Sequence, residues 1–93
     1  MNPILDANSD EIASGDVLTC QLVDGNRSKI HCSDVTGKYF NIYSGNSVLV
    51  LNGVGFGSQK FKDGIKTLYV DTLFDSVIVS LHVDYFKFFV KCK

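Results

Sequence analysis

The sequence predicts an all-β fold of about seven antiparallel strands, arranged as a small β-sandwich or, alternatively, a partly open barrel. Three observations carry this expectation. Apolar and polar residues alternate with period two through most of residues 17–93, the spacing of strands with one buried face. The alternating runs are short and are punctuated by Gly, Asn, Asp and Ser, the residues of tight turns. Helical periodicity is missing beyond residue 16.

Residues 1–16 hold Asp6, Asp10, Glu11 and Asp16 and no basic residue, so they read as an acidic N-terminal arm. Within it, Asn8–Gly15 offers a capping Asn or Ser, acids in the first turn and a Gly stop, the signals of one short helix. Residues 17–93 read as a single all-β domain. Val17–Val23 turns Leu18, Cys20 and Leu22 to one face, and the Asp24-Gly25-Asn26 that follows signals a hairpin. Lys29–Ser33 sends Ile30 and Cys32 inward, with Lys29, His31 and Ser33 outward. Tyr39–Tyr43 sets Phe40 and Ile42 against Tyr39, Asn41 and Tyr43. Val48–Leu51 is apolar on both faces and belongs in the middle of the assembly. Ile65–Asp71 alternates through Leu68 and Tyr69. Val77–Val83 directs Val79 and Leu81 inward and Ser80 and His82 outward. A tight reversal at Asp84 then leads into Tyr85–Cys92, with Phe86, Phe88, Val90 and Cys92 inward and Tyr85, Lys87, Phe89 and Lys91 outward. The expected core is Leu18, Cys20, Leu22, Ile30, Phe40, Ile42, Val79, Leu81, Phe86, Phe88 and Val90.

At 93 residues the chain can build one core and no more. A net charge of −1 argues against a dedicated nucleic-acid binder, whose affinity comes mostly from phosphate neutralisation. The longest apolar runs, Val48–Leu51 and Val77–Val79, fall far below the ~18 residues of a membrane-spanning helix. The opening Met-Asn-Pro-Ile-Leu-Asp lacks the basic start and apolar run of a secretory peptide, so the expected location is cytoplasmic or virion-associated rather than secreted. Cys20, Cys32 and Cys92 are odd in number and lack a CxxC pair, which points to reduced, buried thiols; a Cys20–Cys32 bridge across the first hairpin is the alternative. Neither a metal site nor a cofactor is expected from these spacings.

The most unusual stretch is Asn52–Lys60, where Gly53, Gly55 and Gly57 alternate around Phe56. It fails both the GxGxxG and the Walker patterns, and reads as a flexible loop or a kinked edge strand that touches a partner. His31 and His82 both fall on outer faces. Strand alternation points His31 away from its neighbour Cys32, so the two do not make a nucleophile–base pair. No catalytic set can be assembled, and the chain is expected not to be an enzyme. Tyr39, Tyr43, Tyr69, Tyr85 and Phe89 form an outward aromatic set interleaved with Lys38, Lys66, Lys87 and Lys91. Such a set suits a protein interface, sugar stacking or base stacking.

Phe40–Asn52, with the later Phe74–Val90, resembles strand patterns of galectin-type lectins. That resemblance implies a sandwich and a sugar ligand. The family's His-x-Asn-x-Arg motif and its Trp are absent, so no site residue carries over.

The expected function is a non-enzymatic protein-interaction or assembly module, of the kind found as viral or phage accessory, virion or inhibitor proteins. Its partner would be another protein or a second copy. A lectin-like carbohydrate-binding sandwich is the first alternative and a single-stranded nucleic-acid binder the second. The expected contact residues are Phe56, Tyr85, Lys87, Phe89 and Lys91, on an exposed edge strand and the glycine-rich loop.

Overall fold

The computed structural model describes residues 4–22, 29–34, 36–51, 59–62 and 65–92. Strands form at Val17–Cys20 (β1), Lys29–Asp34 (β2), Tyr39–Tyr43 (β3), Ser47–Val50 (β4), Gln59–Lys62 (β5), Ile65–Phe74 (β6), Val77–His82 (β7) and Phe89–Lys91 (β8). All the pairings between them are antiparallel. Seven of the strands make one continuous sheet in the order β3-β2-β7-β6-β4-β1-β8, and β5 pairs the first half of β6. The all-β expectation holds. Of the two arrangements left open by the sequence, the structure takes the open one, a single sheet curled into a half-barrel.

The curl follows from connectivity. β3 and β4 stand first and fifth in the sheet order, joined only by Ser44, Gly45 and Asn46. In a flat sheet four strand spacings span about 19 Å, whereas the link from Tyr43 to Ser47 reaches at most about 14 Å. The sheet must therefore roll until the end of β3 meets the start of β4. Gly45 makes the turn at φ +94°, a value that favours glycine. Its N–H donates to the Cys20 carbonyl at 2.8 Å, and Asn46 Oδ1 accepts the Tyr43 N–H at 2.8 Å. The β6–β7 hairpin closes through Asp75 and Ser76, both at positive φ (52° and 65°), the geometry of a type I′ turn.

Leu18, Cys20, Ile30, Ile42, Val79, Leu81 and Phe86 are buried as the alternation predicts, with Leu22, Phe40 and Phe88 packed partly against them. Val48 and Val50 of β4 are also buried, and β4 lies inside the sheet between β6 and β1.

Three expectations are corrected. β1 and β2 do not form a hairpin, because both edges of β1 are taken by β4 and β8. Cys20 and Cys32 thus sit on strands that are not neighbours, and both are free thiols. Asn8–Gly15 forms no helix; the arm folds through turns with a bridge between Leu5 and Glu11, and buries Ile4 and Ile12 against the sheet. The expected last strand begins as a 3-10 helix, Val83–Phe88. His82 caps it by accepting the Asp84 N–H on Nδ1 at 3.1 Å, with Asp84 in the first turn and Lys87 in the last. Three residues per turn put Phe86 and Phe89 on the same side, so Phe89 is fully buried rather than outward. Val90 is only half-buried and Cys92 is exposed.

The acidic arm is tied down through the carboxylate of Asp6. Asp6 is 4% exposed. Its Oδ1 accepts the N–H groups of Asn8 and Asp10 at 2.8 and 2.9 Å, and its Oδ2 accepts the N–H of Lys91 at 3.1 Å. Burial alone would raise its pKa. The backbone N–H groups of Asp10, Lys91 and Asn8, with the Lys91 charge, outweigh burial and hold it below the ordinary value. Ala7 N–H also donates to the Phe89 carbonyl at 2.8 Å. The arm thus lies along the outer edge of β8, and the edge that the sequence marks as open for a partner is covered by the chain's own arm.

Candidate functional site

The sheet faces opposite to the core bring polar and aromatic side chains into rows. Register pairs Tyr39 with Ser33, Ser33 with Ser80, and Ser80 with Asp71, one row across β3, β2, β7 and β6. A second row holds Asn41 with His31 on β3 and β2, and His82 with Tyr69 on β7 and β6. Tyr85 of the 3-10 helix reaches the same region, its ring 6.3 Å from that of His82. Together His31, Cys32, Ser33, Tyr39, Tyr69, Ser80, His82 and Tyr85 line a hollow of about 250 Å³.

Its internal geometry is ordered by hydrogen bonds from outside. Ser80 Oγ donates to Asp71 Oδ1 at 3.0 Å, which leaves the serine's lone pairs as acceptors. The Tyr69 and His82 rings meet edge to face, centroids 5.3 Å apart at 88°. With Nδ1 of His82 accepting the Asp84 N–H, the neutral ring carries its proton on Nε2 as a donor. Asp84 Oδ2 lies 3.5 Å from the same Nδ1. Cys32 Sγ donates to the Phe40 carbonyl at 3.6 Å, and burial pushes this thiol up to about 11. A thiol held protonated is a poor nucleophile. Among the described residues that line the hollow there is no Lys or Arg. Among the described residues no group of three or more His, Cys, Asp or Glu is placed to hold a metal ion.

The residues expected to form a contact surface are dispersed. Phe56, Gly53, Gly55 and Gly57 lie outside the described residues. Tyr85 lines the hollow. Lys87 is exposed, with Nζ 5.3 Å over the Phe88 ring. Lys91 is engaged by the arm, its Nζ 3.3 Å from Asp16 Oδ2 and its N–H on Asp6. Phe89 is in the core and leaves the set of contact residues. What the sequence reading missed is the convergence of His31, His82, Tyr39 and Tyr69. Each was on an outer face, but strand order decides which outer residues meet, and alternation carries no information on strand order.

No described helix is long and apolar enough to cross a membrane. Comparison with family models, with curated proteins and with solved structures finds no match to this chain.

Proposed function

We propose that this chain is a non-enzymatic interaction module that receives part of its partner in the hollow between β2, β6, β7 and the 3-10 helix. The observation that supports this reading is the concentration of Tyr39, Tyr69, Tyr85, His31 and His82 on one concave patch. Aromatic residues carry most of the energy of protein contacts, because they cover a large area with few rotors and a polar tip. Tyr39 is 79% exposed at the rim, on a strand paired on only one side in the described sheet. A cytoplasmic or virion-associated module that docks on another protein is consistent with this surface.

A sugar ligand is the second reading, favoured by the pairing of aromatic faces with the Ser33 and Ser80 hydroxyls. The deciding experiment is capture from the native source with the wild-type chain and with Tyr39→Ser. Loss of the captured protein in the variant supports the module. Competition of capture by free sugar moves the function to the lectin reading, and unchanged capture by Tyr39→Ser removes the hollow from either.

A further inference from the structure

Beyond the hollow, we infer that the outer edge of β3 pairs antiparallel with the same edge of a second copy of this chain, about a two-fold axis at Phe40. The two ends of the sheet differ. The arm occupies the edge of β8 through Ala7 and Asp6, whereas β3 is paired only with β2 among the described strands. Asp34 N–H donates to the Lys38 carbonyl at 3.0 Å, and the register continues through Cys32 with Phe40 and Ile30 with Ile42. Antiparallel pairs alternate, so Tyr39, Asn41 and Tyr43 turn their N–H and C=O groups away from β2. Tyr43 is satisfied within the chain. Its N–H donates to Asn46 Oδ1 at 2.8 Å, and its carbonyl accepts the Asn46 N–H at 2.9 Å. The N–H and C=O of Tyr39 and of Asn41 remain, and none of the described residues hydrogen-bonds to them.

These outward groups fix both occupant and register. An axis at Phe40 sets Tyr39 of each copy opposite Asn41 of the other, and the pairs exchange one hydrogen bond for every outward group. An axis at Asn41 would instead need the Tyr43 groups that Asn46 holds. A second copy supplies the matching donors and acceptors by symmetry alone. Side chains agree with this register. Tyr39–Tyr43 carries neither Lys nor Pro, the residues that guard sheet edges. The flanking Lys38, its Nζ 5.3 Å over the Phe40 ring, falls opposite Ile42 of the second copy. The two Lys38 chain positions then stand about 13 Å apart along the strands, and physiological salt screens what repulsion is left. Half-buried Phe40 meets its own counterpart at the axis, in a non-hydrogen-bonded pair where side chains approach most closely. Tyr39 is 79% exposed, which leaves the approach open.

The test is amide hydrogen exchange read by NMR on the full chain at about 20 μM and about 1 mM, beside sedimentation equilibrium. Expected is a dimer that grows with concentration. The Tyr39 and Asn41 amides should slow at least about threefold on concentrating, while the Tyr43 amide, held by Asn46, exchanges alike at both concentrations. Asn41→Pro removes one outward donor and leaves the β2 ladder whole, since proline is tolerated where the N–H faces away from the sheet. It should keep the fold by circular dichroism and weaken association at least about tenfold. Tyr39→Pro removes the other donor at the first residue of β3, and carries the same expectation where Asn41→Pro does not fold. A monomer at both concentrations overturns the inference. So does a dimer whose Tyr39 and Asn41 amides exchange unchanged, one that persists in a folded proline variant, or an open series of larger assemblies, which a two-fold pairing does not produce. Tyr39→Ser keeps its N–H and leaves the pairing intact, so loss of capture in that variant speaks to the hollow and not to this edge.

Discussion

Phe86 and Phe89 meet in the core with ring centroids 5.9 Å apart, although one belongs to the 3-10 helix and the other to the strand after it. Both are fully buried, so each ring supports the other across the junction. Phe89→Ala should therefore cost about 3–5 kcal/mol, through lost burial and a cavity that the junction cannot close. Tyr39→Ala, at a site 79% exposed, should shift stability by no more than about 0.5 kcal/mol. Urea denaturation of both variants checks the contrast. A small cost at Phe89 would contradict the core placement.

Asp6 makes stability depend on pH with a definite sign. Its carboxyl is held below the ordinary value in the folded chain, so its contribution is complete above the unfolded value of about 3.9 and is lost as pH falls through the folded one. Urea midpoints should fall below about pH 4 in the wild type. Asp6→Asn presents an N–H to the Lys91 N–H and should cost about 1–3 kcal/mol at pH 7. The variant should also lose less stability on acidification than the wild type does.

The thiols should separate cleanly in a labelling experiment. Burial raises both Cys20 and Cys32, Cys32 to about 11, while Cys92 is exposed beside Thr19 Oγ1 at 2.9 Å. Iodoacetamide on the native protein at pH 8 should modify Cys92 alone, and unfolding should release the other two. Peptide mapping by mass spectrometry reads the result; native labelling of Cys32 would contradict its burial.

The β6–β7 turn offers a route to a more stable chain. Ser76 holds φ 65° without being glycine, a conformation disfavoured for side chains with a Cβ. Ser76→Gly should raise stability by about 0.5–1 kcal/mol, the strain relieved exceeding the added freedom of the unfolded chain. A thermal melt showing a lower midpoint would mean that the hydroxyl matters more than the backbone.

The strands were legible because alternation is a local property: Ile30 and Ile42 are buried and Tyr39 and Tyr43 exposed, as period two requires. β5 went unseen, although Lys60-Phe61-Lys62 alternates just before Asp63-Gly64. The final segment misled for a physical reason. In Val83–Val90 a 3-10 turn and an alternating strand both bury Phe86 but differ over Phe88 and Phe89, and the cap at His82 favours the turn. Helix signals in Asn8–Gly15 lost to burial of Ile4 and Ile12 and to the pull of Asp6 on backbone N–H groups across the arm. The hollow was illegible because its residues meet through strand order, which is set by links such as Ser44–Asn46 rather than by any one strand.

The carboxylate of Asp6 and the N–H of Lys91 are 85 residues apart along the chain. A ribosome releases the first of these long before the second. During synthesis Ile4 and Ile12 have no finished sheet to cover, and Asp6 remains hydrated and charged. β1 in turn awaits β4 and β8, its two neighbours in the sheet. Closure of the arm is thus a late event in the life of each molecule, reporting that β8 has arrived and is paired. A protease cutting within the arm would distinguish nascent from finished chains.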